Sequence, residues 1–167
     1  QTLDSSGYVG EYPDIALDQY GQVHVSYYND SSDDAQYVII HDGVARPSEI
    51  VQVGSHNYQT GYAVDSSGSI HLSFYNGSDT SGSLHYAVLS GKSWAVTVVD
   101  DSSAKVGAYS SLTLDGSERP HISYLDSANG NLRYAYYDGT SWVITTVDSS
   151  GTVGGFTSIA NDANDRP

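Results

Sequence analysis

The amino-acid sequence predicts an all-β fold of repeated four-stranded antiparallel units, and three observations predict it. The 167-residue chain repeats itself: Asp18, Asp65, Asp115 and Asp162 are spaced by 47, 50 and 47, and His24, His71 and His121 keep the same spacings. Each period holds short runs rich in β-branched and aromatic residues, bounded by Gly, Asp, Asn or Ser, which are strand and turn signals. No segment sustains the apolar period of a helix.

The elements recur in a constant order. The first strand of each unit reads YPDIALD, QTGYAVD, YSSLTLD and FTSIAND, and the second reads HVSYYN, HLSFYN and HISYLD. The third reads AQYVIIHDG, LHYAVLSG and LRYAYYDG, and the fourth reads EIVQV, WAVTVVD and WVITTVD. Four strands in a period near 47 residues match a β-propeller blade, whose radial repetition leaves only short, protected edges. A parallel β-helix needs a shorter period, and an immunoglobulin-like sandwich does not repeat itself internally. The chain therefore reads as a single repeat region, 1–167, with units at about 4–53, 54–100 and 101–147 and a partial unit at 148–167. That is three complete blades plus one extra strand. Since propellers have about 4–8 blades, the expectation is part of a larger ring, completed by missing blades or by another copy.

Composition narrows the partners. Twenty acidic against 6 basic side chains give a formal net charge of −14, which argues against nucleic acid and anionic membrane surfaces. No apolar run approaches the roughly 18 residues that span a bilayer. The absence of cysteine removes disulfides, thiolate chemistry and Cys-type zinc sites. Fifteen tyrosines among many Ser, Gly, Asp and Asn suit a secreted or cell-surface binding protein.

The unit at 101–150, DSSAKVGAYSSLTLDGSERPHISYLDSANGNLRYAYYDGTSWVITTVDSS, resembles the near-identical blades of bacterial propellers that grew by recent blade duplication. The resemblance covers essentially the whole chain and implies a fold rather than an activity. The turns YDGTSW (137–142) and SGKSW (90–94) are similar to the Asp-box of sialidase-like propellers, one residue shorter and without its leading Ser. The first unit, HDGVARPSE (41–49), lacks the Trp. An Asp-box is itself a turn-stabilising element.

Several residue sets are candidates for function. His24 with Ser26, His71 with Ser73, and His121 with Ser123 each share one strand face, as a nucleophile and its base must. An active site is needed once, however, and this pair recurs in every unit, so the expectation is structural packing chemistry and no catalytic residue. The three histidines lie on separate units, too far apart for a shared metal ion. The acidic turns NDSSDDAQ (29–36), NGSDTSGS (76–83) and DSANGN (126–131) offer the oxygen chemistry of calcium without EF-hand spacing. They are read as solvated turns, with calcium the alternative and no cofactor expected. Asn29 and Asn76 head formal glycosylation sequons.

The linkers into the first strands are the main ligand-binding candidates. They read DSSGYVGEY (4–12), DDSSAKVGAY (100–109) and DSSGTVGGF (148–156), with a shortened GSHNYQ (54–59) in the second unit. In a propeller these linkers share a face with the second-to-third turns. Tyr12, Tyr58, Tyr109 and Phe156 are expected to stack on sugar rings there, beside Asp4, Asp101 and Asp148; the alternative is packing between blades. Arg46, Arg119, Arg133 and Arg166 are the only arginines, in turns or a third strand, and do not form the converging set a sialidase needs. The resulting expectation is a non-catalytic module binding a glycan or protein ligand through repeated weak subsites; a fragment of a propeller glycoside hydrolase is the alternative.

Overall fold

The computed structural model describes residues 2–32, 34–46, 49–51 and 57–167, and the side chains at 49–51, 57–60 and 90 lie outside that description. The first sheet holds β1 (Val9–Leu17), β2 (Val23–Asn29), β3 (Asp34–His41) and, sharing the edge of β3, the short β4 (Val44–Ala45) and β5 (Glu49–Val51). The second holds β6 (Asn57–Val64), β7 (Ile70–Gly77), β8 (Gly82–Ser90) and β9 (Ser93–Asp100). The third holds β10 (Val106–Leu114), β11 (Pro120–Asp126), β12 (Asn131–Tyr137) and β13 (Trp142–Asp148). All pairings within the sheets are antiparallel, and all but that of β5 with β3 join strands consecutive in sequence, as the repeat predicts.

Each first-to-second hairpin is closed by the aspartate of the repeat. Asp18 Oδ1 accepts the backbone N–H of Tyr20 and Gln22, Asp65 those of Ser67 and Ser69, and Asp115 those of Ser117 and Arg119. Asp162 does the same with Asn164 and Arg166, so the turn of the partial unit is fully formed. The segment before it, expected as an extra strand, is not one. Its Thr157 hydroxyl donates instead to the carbonyls of Tyr109 (2.7 Å) and Ser123 (3.1 Å), and the Ile159 N–H to Ser111 Oγ (3.3 Å). A ladder needs a neighbour, and this unit has no second strand in the chain.

Two apolar cores lie between the sheets. Ala35 and Tyr37 of the first sheet meet Tyr62, Leu72, Phe74 and Ala87 of the second; Leu84 and Val99 of the second meet Val106, Leu112, Ile122 and Tyr124 of the third. The first strands β1, β6 and β10 make the main contacts between sheets. Gly61 permits the close approach of β6 and β10: a Cβ there would lie 2.6 Å from the Leu112 backbone N.

Candidate functional site

The repeated histidines are buried. Each faces the aspartate that closes its own hairpin, with Nε2 to carboxylate distances of 3.6 Å for His24–Asp18, 3.3 Å for His71–Asp65 and 3.5 Å for His121–Asp115. Each also shares its Nδ1 with a tyrosine hydroxyl: Tyr62 (2.8 Å), Tyr86 and Tyr134 respectively. Burial lowers the pKa of His24 and His71, with their aspartates opposing the shift. The Ser73 hydroxyl donates to Ser110 in the next sheet at 3.0 Å. In the second unit serine and histidine thus serve different neighbours, whereas the Ser123 hydroxyl of the third is buried without a hydrogen-bond partner among the described residues.

The linker aspartates do comparable work. Asp4 and Asp148 each accept the backbone N–H of the serine two residues on, at 2.8 Å. In the third linker Asp100 takes that role, accepting Ser102 N–H at 2.9 Å, while the neighbouring Asp101, a candidate ligand residue, is exposed. The adjacent DD pair makes the two indistinguishable by spacing alone. Asp4 also accepts the hydroxyl of Tyr27, and Asp100 that of Tyr124, both at 2.8 Å. These carboxylates are therefore internal fasteners. Arg133 adds contacts to Asp100 (3.0 Å) and Asp126 (2.8 Å). Arg119 and Arg166 each grip their own hairpin aspartate. Asn29 is buried and its Oδ1 accepts Ser31 N–H, so its sequon is closed to modification in the folded chain.

The linker aromatics gather on one face, together with the second-to-third turns. Tyr12, Tyr109 and Phe156 line one crevice of about 250 Å³, beside Asp14, Ser110, Ser111, Thr157 and Ser158. Tyr12 and Tyr109 also line an adjoining crevice of about 400 Å³ with Tyr75, Ser78, Asp79, Lys105 and Ser127. The Tyr109 and Phe156 rings lie 4.4 Å apart, tilted by 46°. All three aromatics have left-handed backbone, with φ of 49°, 54° and 55°. That conformation costs a non-glycine residue roughly 1–2 kcal/mol, and for Tyr12 and Tyr109 it arises at the bulge of β1 and of β10. The register in the second sheet puts the bulge at Gln59 and Thr60, with Tyr58 paired to Tyr75 just before it. Tyr58 therefore does not take the place of Tyr12 and Tyr109, and its side chain lies outside the described residues. The shortened linker hid a one-residue offset.

The opposite face carries a site that the sequence reasoning missed. Between the second and third sheets lies a cleft of about 680 Å³, lined by Tyr86, Thr97, Glu118, Arg119, Tyr137, Thr140, Ser141 and Trp142 among others. Tyr86 and Thr97 are register partners in the second sheet, and Tyr137 and Trp142 are partners in the third. The Trp142 indole meets the rings of Tyr86 (5.3 Å) and Tyr137 (5.6 Å) edge to face. Asp138 holds the adjoining turn by accepting the N–H groups of Thr140 and Ser141, the turn-stabilising role of an Asp-box aspartate.

Glu118 stands at the cleft's rim in left-handed backbone, φ 61°, where the first two units have Gly21 and Gly68. A glycine-favouring position thus holds a charged side chain, which is the kind of strain that clusters at functional sites. One carboxylate oxygen accepts the Ser66 N–H at 2.8 Å, linking the hairpins of adjacent sheets. Arg119 donates to Asp115, whose burial opposes ionisation while the bonds from Arg119 bring its pKa down to about 2. Among the described residues, the counterpart between the first and second sheets shows an edge contact of Tyr37 with Trp94, at 6.2 Å. There the hairpin offers Gly68 and Ser69 in place of Glu118 and Arg119, and Leu89 in place of Tyr137. The signal was present in the sequence as GSER (116–119) against SSGS (66–69), but nothing in a single unit shows that this turn meets a Trp.

No family model and no curated protein matches the sequence. Among solved structures, the fold is similar to a fucose lectin from Kordia zhangzhouensis in complex with methyl-fucoside. The TM-score is 0.51 at 18% identity, over 80% of this chain and 96% of that one. At this identity the likeness concerns the fold.

Proposed function

We propose that the three sheets are blades of a β-propeller and that the chain is a non-catalytic carbohydrate-binding module, holding a sugar in the cleft between the second and third sheets. A pyranose presents an apolar C–H face and a ring of hydroxyls. Trp142, Tyr86 and Tyr137 supply the apolar wall, while Glu118, Arg119, Thr97, Thr140 and Ser141 supply charged and neutral hydrogen-bonding groups at its edge. The arrangement of Trp142 against two tyrosines under a strained Glu118 is the observation that carries this reading. The likeness of the fold to a fucose lectin bound to methyl-fucoside supports it.

Glu118 is the one carboxylate among the cleft's lining residues, whereas glycoside hydrolysis usually employs two. Binding is therefore favoured over turnover, and a secreted or surface setting belongs to the same proposal. Further subsites on other copies or blades would raise avidity without new contacts. A glycan array followed by calorimetry with methyl-fucoside tests the reading. The expected result is selective binding abolished by Trp142→Ala; an array silent for every sugar class overturns it.

A further inference from the structure

The crevice on the opposite face from the cleft has different chemistry. Tyr12, Tyr109 and Phe156 line it, together with Asp14. The two closest rings stand 4.4 Å apart at 46°, a concave corner rather than a flat platform. Flat platforms suit sugar faces, whereas a corner of aromatic faces encloses a compact, rounded group. Phe156 is 80% exposed and Tyr12 39%, so the corner opens to solvent.

Asp14 gives this corner a charge found in no other unit. The equivalent first-strand positions are Gly61, Ser111 and Ser158. Its oxygens accept two backbone N–H groups, from Ile15 at 2.8 Å and Tyr62 at 2.9 Å, and no cationic side chain among the described residues pairs with it. Burial disfavours its charged form, a cost that an arriving cation would relieve. Lys105 lies in the adjoining crevice, where it donates to the Asp79 carbonyl at 2.7 Å. With a net charge of −14, the whole chain attracts cations to its surface.

We propose that Tyr12, Tyr109 and Phe156, with Asp14 lining the same crevice, form an aromatic cage for a quaternary ammonium group. Such groups are recognised by aromatic faces through their quadrupoles, more strongly when partly desolvated and beside a carboxylate. The crevice, about 250 Å³, accommodates a trimethylammonium headgroup. This site is independent of the sugar cleft, since Tyr12, Asp14, Tyr109 and Phe156 are absent from the cleft's lining.

Calorimetric titration with choline chloride tests the proposal, with dimethylbutanol as the neutral isostere and methyl-fucoside as a competitor. The whole chain should bind choline and not the isostere. Phe156→Ala, at an exposed position that folding does not depend on, should weaken choline binding by about threefold to thirtyfold. Asp14→Asn should weaken it as well, while Trp142→Ala should leave it unchanged. Co-sedimentation with phosphatidylcholine vesicles would assign a membrane headgroup; choline binding without co-sedimentation would assign a soluble ammonium compound, and both uphold the cage. Equal binding of the isostere, displacement of choline by methyl-fucoside, or indifference to Phe156→Ala would each overturn it.

Discussion

The hydroxyl of Tyr124 donates a 2.8 Å hydrogen bond to Asp100, fastening the second strand of the third sheet to the end of the second sheet. Tyr27 makes the same bond to Asp4. The second unit has Phe74 at this position, and its linker, QVGSHN, has no aspartate. Donor and acceptor are lost together, so no buried partner is stranded. Phe74 packs instead on His85, with ring centroids 5.5 Å apart.

That pairing makes Tyr124→Phe costly and Phe74→Tyr unrewarding. Removing the Tyr124 hydroxyl withdraws one donor from a buried carboxylate, which should destabilise the chain by about 1–2 kcal/mol. Arg133→Met should cost more, about 3–5 kcal/mol, because Asp100 and Asp126 both lose their cation. Denaturant unfolding of the variants measures both, and equal stability of wild type and Arg133→Met would contradict the fastener role.

Equivalent repeat positions should differ in cost according to what covers them. Leu112 and Tyr62 are 5% and 3% exposed, whereas Ile15, at the same position of the first unit, is 66% exposed. Leu112→Ala should therefore destabilise by about 2–5 kcal/mol, and Ile15→Ala by about 0.5 kcal/mol or less. Thermal melts of the two variants decide this; similar shifts would show that β1 is covered in solution by something outside this chain.

Stability should fall on acidification before the carboxylates titrate. An unfolded histidine takes up a proton near pH 6.5, while burial holds the folded pKa values of His24 and His71 lower. Below that pH the unfolded state binds more protons, so stability is full above about 6.5 and is lost as the pH drops. The hairpin aspartates Asp18 and Asp65, held below the usual carboxylate range by turn and histidine bonds despite burial, add a second loss in acid. At the alkaline end, burial raises the phenols of Tyr62, Tyr86 and Tyr124, so stability should fall again as the pH rises past about 10. Melting temperatures at about 0.5 M salt, which screens the net charge, should show a plateau bounded on both sides. A rise between pH 7 and 5 would contradict the histidine argument.

Most of the architecture was legible because a strand pattern repeated at fixed period constrains both element type and order. A one-residue offset carries no spacing signal. Asp100 and Asp101 are adjacent and chemically alike, and the bulge that separates Tyr58 from Gln59 exists only in the register. The cleft was invisible for a different reason. Tyr86, Glu118 and Trp142 come from three different turns and strands of two units, and only the packing of one sheet on the next brings them together.

The central claim, sugar recognition in the cleft beside Trp142, is tested most directly by titrating methyl-fucoside and the best sugars from a glycan array into wild type, Trp142→Ala and Glu118→Gly. Glu118→Gly places glycine in a left-handed position that glycine favours, so its stability should change by less than about 1 kcal/mol. The account predicts saturable binding by wild type, at least about tenfold weaker binding by Glu118→Gly, and none by Trp142→Ala, with all three proteins folded. Undiminished sugar binding by a folded Trp142→Ala variant would contradict it.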